Sequence, residues 1–386
     1  MRSEAVEEQA MLLERLQTMA RERAPAEARD AFVPFIRAYY EMASQDTLRM
    51  RTPEELVDTA LRQFLFAQRR APGESLVRVL PPADLAAHDS RGLARLETVV
   101  DDMPFLVDSL SMAIREIGAP IDWLVHPIVH VAREREQWDE IAADGEAESL
   151  VHVEFEAFAN AASYTALETA VRGVLGDIRC VVDDFSAMRT RAIELAEHYA
   201  TLRADATTDD GGEAGEFLRW LEDGHFTFLG YIETDVVDGR FETRPAAALG
   251  LSRPGRRYAD ADALIAPREE LDKYSESSRL VVITKGNFRS HIHHAEFVDV
   301  VSVKRVQPDG SVGGTSRFIG LFSADAYIDR PRNIPLMRRK ADYVMQRSRL
   351  PEQSHSGKYL REILYQLPRD ELFQSNQDEL YDICMG

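Results

Sequence analysis

The spacing of apolar residues changes character three times along the 386 residues, and that succession constrains the fold more than any single motif. Over residues 1–75 the spacing is helical: Val6, Met11, Leu12, Leu16 and Met19 recur at roughly helical spacing between charges. A second helix is predicted over 31–43, carrying Phe32, Phe35, Ile36, Tyr39 and Tyr40. A third has a start signal: Thr52 caps, Pro53 suits the first helical position and Glu55 completes a capping box. Leu56, Ala60, Phe64 and Phe66 follow on its apolar side, and these aromatics read as core. From Ala94 the pattern turns β-rich. LARLETVV reads as a strand, DDMPFLVDSLSMAIREIG as a loop and helix, and PIDWLVHPIVHVARE as a long β-run. EREQWDEIAADGEAE reads as an acidic turn region, SLVHVEFEAF as an alternating strand, SYTALETAVRGVLG as a helix and DIRCVVDDF as a last strand. The order is β-α-β-β-α-β, a ferredoxin-like arrangement placed at 76–184.

A helix from Phe185 to about Arg203 is expected next, followed by an acidic, Gly-rich linker, Ala206 to Glu216, within a 185–215 connecting segment. The unit at 216–330 opens with a short helix, EFLRWLEDG, and a hairpin of HFTFLGYIETD and GRFETR. After a mixed stretch with helical pieces come RLVVITKG, EFVDVVSVKRV and TSRFIGLFS, the last two joined by a turn at Asp309-Gly310. Five antiparallel strands make this an α+β sheet domain, and 331–386 reads as a helical tail.

Several function classes are excluded by the residues themselves. With 46 basic and 66 acidic residues the formal charge is −20, which opposes phosphate binding and anionic membranes. No apolar run approaches the roughly 20 residues of a membrane span, and the acidic N-terminus lacks signal-peptide character. Two cysteines, Cys180 and Cys384, read as reduced thiols in a cytoplasmic protein. No G-x-G-x-x-G, P-loop, G-x-S-x-G or H-E-x-x-H motif occurs, so no catalytic residue and no cofactor-binding residue is assigned.

Three clusters remain as candidates. Asp101, Asp102, Met103, Pro104 and Phe105 form the loop between a strand and a helix, where free backbone N–H groups can receive a carboxylate. The alternative is that Asp102 simply caps the helix, with Pro104 near its first position. His291, His293 and His294 invite a metal, but no spacing supplies third and fourth ligands, and turn histidines are the simpler reading; His126 and His130 read as edge-strand residues. Arg338, Arg339 and Lys340 belong to a basic island that either lines a solvated helix face or docks an acidic surface of another domain or subunit.

DDMPFLVDSL, FLRWLEDGHFTFLGY, VVSVKRV, RFIGLFSADAY, PRNIPLMRRKADYV and PRDELFQ, in this order, resemble the N-terminal, non-catalytic region of the large bacterial NAD-specific glutamate dehydrogenases. The resemblance implies an ACT-like domain around 94–184 and a PAS-like domain around 216–325. It implies a regulatory and assembly arm of an enzyme that deaminates L-glutamate to 2-oxoglutarate with NAD, the NAD site lying in a downstream catalytic domain. The implied partners are downstream domains of the same polypeptide, a homo-oligomer and an amino-acid effector. One departure bears on the effector. Amino-acid-binding ACT loops carry D-x-P-G-x-L, whereas here Phe105 stands in the glycine position, partly filling the pocket and restricting the backbone. Ala295 stands where the family carries a proline two residues after its histidine. A pure assembly scaffold without a ligand is the alternative, and an independent hydrolase or metalloenzyme built on the histidines is a third reading.

Overall fold

The computed structural model describes residues 2–85, 91–202, 210–238, 240–259 and 279–386. The chain divides into two compact units, one of residues 1–178 with 291–294, the other of 179–290 with 295–386. The expected α+β class holds, with leading helices, two antiparallel sheets and a helical tail.

In the first unit helices α1 (Arg2–Arg23), α2 (Arg29–Glu41), α3 (Gln45–Arg49) and α4 (Pro53–Ala67) precede the sheet. The capping box of α4 is present as expected: Thr52 accepts from the Glu55 N–H, and Glu55 accepts from the Thr52 N–H at 2.7 Å. The strands are β1 (Leu76–Leu80), β2 (Leu93–Asp101), β3 (Ile121–Val125), β4 (Ile128–Glu134), β5 (Gln137–Ile141) and β6 (Glu146–Glu156), with α5 (Leu106–Glu116) between β2 and β3. They are ordered β1-β2-β6-β4-β5, and β3 also pairs with β6. The long β-run is thus two strands lying end to end along β6, broken at His126-Pro127, where proline withdraws a ladder donor. The acidic turn region contains β5.

Helices and sheet share one core. Phe32, Phe35, Tyr39, Tyr40 and Phe64 pack with Val99, Trp123, Val131, Trp138 and Leu150. Phe35 meets Trp138 edge-on at 5.3 Å and Phe64 meets it at 5.5 Å, geometries worth about 0.5–1.5 kcal/mol per pair beyond area burial. The segments 1–75 and 76–184, separated on periodicity, are therefore joined. Periodicity identifies each buried face but not which faces meet.

The last ferredoxin-like strand is absent. DIRCVVDDF lies inside helix α6 (Ala161–Leu202). Its β-branched residues suggest a strand, but Leu167, Val171, Val174, Ile178 and Val181 are buried at steps of four, three, four and three. The edge beside β2, where that strand would lie, is taken by β1 from the opposite end of the domain.

In the second unit helix α7 (Asp210–Trp220) covers most of the expected linker, and its Gly211, Ala214 and Gly215 are buried. Gly215 shows why a small residue is needed: a side chain there would meet the Ala196 carbonyl at 3.0 Å. Ala206 to Asp209 lie outside the described residues. A π-turn over 221–225, with Gly224 at φ +85°, leads into β7 (Phe226–Val237). Then come β8 (Arg240–Gly250), β9 (Val281–Arg289), β10 (Phe297–Val306) and β11 (Val312–Phe322), ordered β8-β7-β11-β10-β9 with every pair antiparallel. Most of the mixed stretch, from 260 to 278, lies outside the described residues. The Asp309-Gly310 turn forms as expected, Asp309 accepting from the Ser311 N–H at 2.9 Å. The tail is α8 (Ala324–Ile328), α9 (Met337–Ser348), α10 (His355–Gln366), α11 (Arg369–Gln374) and α12 (Gln377–Met385).

Candidate functional site

The loop of residues 101–105 leaves the end of β2 and enters α5. Asp101 is not a free carboxylate: it is paired with Arg70, whose Nη1 also donates to Glu148 at 2.9 Å. Glu148 is held from its other side by a two-pronged Arg133 contact at 2.6 and 2.8 Å. Nor does Asp102 cap the helix. Its Oδ1 accepts from the Ser149 hydroxyl at 2.5 Å, and Ser149 Oγ lies 3.0 Å from His126 Nε2. With the serine proton given to Asp102, the His126 ring nitrogen is the donor. Burial lowers the His126 pKa, opposed by the Asp102 charge.

Helix α5 begins at Leu106, two residues later than Pro104, and its N-cap is Phe105 with no side-chain cap bond. Phe105 has φ +71°, the left-handed region that glycine adopts freely. The expected restriction to ordinary angles is therefore incorrect: the loop keeps the glycine backbone with a phenylalanine in it, against a steric cost of about 1–2 kcal/mol. One side chain ties the first turn of α5 to the histidine loop. Ser109 Oγ donates to the Phe105 carbonyl at 2.6 Å and accepts the His293 N–H at 3.2 Å. The Phe105 and His293 rings meet with centroids 5.1 Å apart.

The histidines lie in the loop between β9 and β10, not on a strand. His291 is 4% exposed, with Nε2 at 2.8 Å from Asp177. His293 Nδ1 lies 3.8 Å from Asp108, and its ring lies 3.7 Å from that of His294. Burial and the neighbouring His294 lower the His293 pKa. Among the described residues no group of three or more His, Cys, Asp or Glu side chains could hold a metal. His130 Nδ1 lies 3.2 Å from the Gly145 carbonyl oxygen.

Arg338 and Lys340 of the basic island are bound within their own unit. Arg338 pairs with Glu213 and Glu216. Lys340 spends its three donors on the carbonyls of Leu372, Phe373 and Ser375 at 2.8–3.0 Å, closing the C-terminus of α11. Arg339 is also partnered. Ser109, Ser149, Arg70 and Asp177 all escaped the sequence reading, since each acquires its role from a residue distant in the chain.

Known proteins match this chain as follows. Residues 35–171 match the family model "Glutamate dehydrogenase, ACT1 domain", and 334–386 match "Glutamate dehydrogenase, helical motif 1". The NAD-specific glutamate dehydrogenase of Pseudomonas aeruginosa is 32% identical over 91% of this chain, which spans 22% of that protein. The enzyme of the same name from Halomonas elongata is 32% identical, with 91% and 23% covered. That of Mycobacterium tuberculosis is 26% identical, with 85% and 20% covered. The chain thus spans about a fifth of the length of these relatives. A solved RNA-binding light-oxygen-voltage receptor aligns over 72% of the chain and 85% of its own, at 11% identity and a TM-score of 0.16, too low to carry an argument. No described helix is long and apolar enough to cross a membrane.

Proposed function

We infer that this chain, which carries the ACT1 domain and helical motif 1 of the NAD-specific glutamate dehydrogenases, is a non-catalytic assembly and regulatory arm of such an enzyme. The parent activity is the oxidative deamination of L-glutamate to 2-oxoglutarate and ammonia. The matched families carry this reading. The antiparallel sheets support a reading in which the chemistry lies elsewhere. Dinucleotides bind at the carboxyl ends of parallel strands beside a Gly-rich turn, whereas each described strand pair is antiparallel and the sequence lacks the turn. NAD would then bind in a downstream domain of the same polypeptide, in a cytoplasmic homo-oligomer. The strand order of the second sheet, second-first-fifth-fourth-third in chain sequence, supports a PAS-like reading of 216–330.

For the loop at 101–105 the geometry favours the scaffold reading over an effector site. Phe105, with its ring against His293, and the Ser109–His293 contact stand beside the first turn of α5, which supports that reading. Incubation of the purified chain with glutamate and NAD, followed at the NADH absorbance, tests the non-catalytic assignment. No NADH above a mock-purified control is expected, and sustained turnover contradicts it.

A further inference from the structure

Where helix α11 meets the second sheet, a buried carboxylate and an ammonium form a bridge that none of the functions above uses. Lys285 on β9 and Asp299 on β10 are direct cross-strand partners. Lys285 Nζ lies 2.8 Å from Asp299 Oδ1 and 3.1 Å from Oδ1 of Asp370 on α11. The second Asp299 oxygen accepts the Phe322 N–H of β11 at 3.3 Å. Tyr327 of α8 closes the cluster, its hydroxyl 3.5 Å from Asp370. The Asp299 side chain is 3% exposed while that of Asp370 is 43% exposed, so the bridge runs from the sheet interior to the surface through one lysine.

We propose that Asp299, Lys285 and Asp370 form a proton-operated latch that sets how firmly helix α11 is fastened to the second sheet. With both aspartates ionised the bridge holds two negative charges around one positive charge, one of them in a buried position that water cannot screen. Protonating Asp299 removes the unbalanced charge and leaves Lys285 neutralised by Asp370. The groups facing Asp299 are Lys285 from β9, the Phe322 N–H from β11, Asp370 from α11 and Tyr327 from α8, which together account for the balance. Burial raises the Asp299 carboxyl, Lys285 and the Phe322 N–H oppose this, and Asp370 adds to it, leaving the group at about 6. Tyr327 is pushed up to about 12 by burial and the Asp299 charge, so it stays neutral throughout.

The sign follows from linkage. A carboxyl raised above its unfolded value binds its proton more tightly in the closed state, so acidification through about 6 fastens the helix and higher pH loosens it. The difference from an ordinary aspartate, about two pH units, converts to about a hundredfold in the opening equilibrium if opening exposes Asp299 fully.

Hydrogen exchange of the α11 amides in the whole chain between pH 3.5 and 8, corrected for intrinsic rates, reads that equilibrium when run in a Lys340→Met background, which removes the ammonium on the Leu372 and Phe373 carbonyls that burial lowers to about 7. Opening is expected to rise up to about a hundredfold with a midpoint near 6. Asp299→Asn should flatten the profile. Asp370→Asn should shift the midpoint down and Lys285→Met should shift it up, so the ordering remains readable if one variant fails to fold. A flat profile in the Lys340→Met background, or midpoints unmoved in both flanking variants, would overturn the latch.

Discussion

Phe105 offers a test in which the usual order of two substitutions should reverse. Replacing it by alanine or glycine removes the same ring and the same contact with His293, so the cost of lost burial cancels between the variants. What differs is the backbone. At φ +71° an alanine retains the Cβ clash of the left-handed region, about 1–2 kcal/mol, and glycine does not. Glycine has the more flexible unfolded chain, which favours alanine by about 0.4–1 kcal/mol. The balance leaves Phe105→Gly more stable than Phe105→Ala by about 0.5–1 kcal/mol, opposite to the order in a regular element. Denaturant titration in a Trp220→Phe background leaves Trp123 and Trp138 as reporters, both in the first unit, and restricts the transition to it. Equal slopes with a higher midpoint for the glycine variant are expected. An alanine variant at least as stable would refute the strained-cap argument.

Other perturbations probe the buried polar groups of the first unit. Gln63 donates to the carbonyls of Thr98 and Val151 and accepts from Tyr39; Gln63→Leu orphans all three and should cost about 2–4 kcal/mol in urea titration. Burial pushes Glu97 up, but the hydrogen bond and charge of His152, with Arg78 and Arg62, outweigh it and hold the carboxyl at about 2. Its stabilisation is therefore present above about 4.5 and lost as pH falls towards 2, by at most about 3 kcal/mol, and Glu97→Gln should remove that part of the acid-unfolding curve. Arg70→Met leaves Glu148 without one of its two arginines and takes from Asp101 its Arg70 contact, a loss of about 2–3 kcal/mol in the same titration. Lys340→Met uncovers three carbonyls at the end of α11 and should lower the melting temperature of the second unit, a cost of about 1–3 kcal/mol.

What the sequence disclosed follows from the range over which each signal acts. The cap at Thr52, the turn at Asp309-Gly310 and all five strands of the second sheet are set by neighbours within a few residues, and each is found where its pattern places it. At residues 177–185 β-branched content points to a strand, but the three- and four-residue steps of a helix continue through it. The glycines of α7 read as linker because glycine disfavours helix; here Gly215 allows close packing on the Ala196 backbone. At the candidate site, the sequence exposed the anomaly at Phe105 but not its solution. Ser149 and Ser109 sit 47 and 184 positions from the partners that define them, and no local pattern announces such a pair.

The central claim is that the loop entering α5 is closed by the chain's own side chains and takes no free amino acid. Thermal denaturation of the wild-type chain with each of the common L-amino acids at millimolar concentration tests it most directly. A ligand at a hundred times its dissociation constant stabilises a fold by about 2.7 kcal/mol, a shift that a melting curve resolves. No amino acid is expected to move the transition of the first unit. A reproducible rise with one of them, lost in Asp102→Ala, would contradict the account and make the loop an effector site.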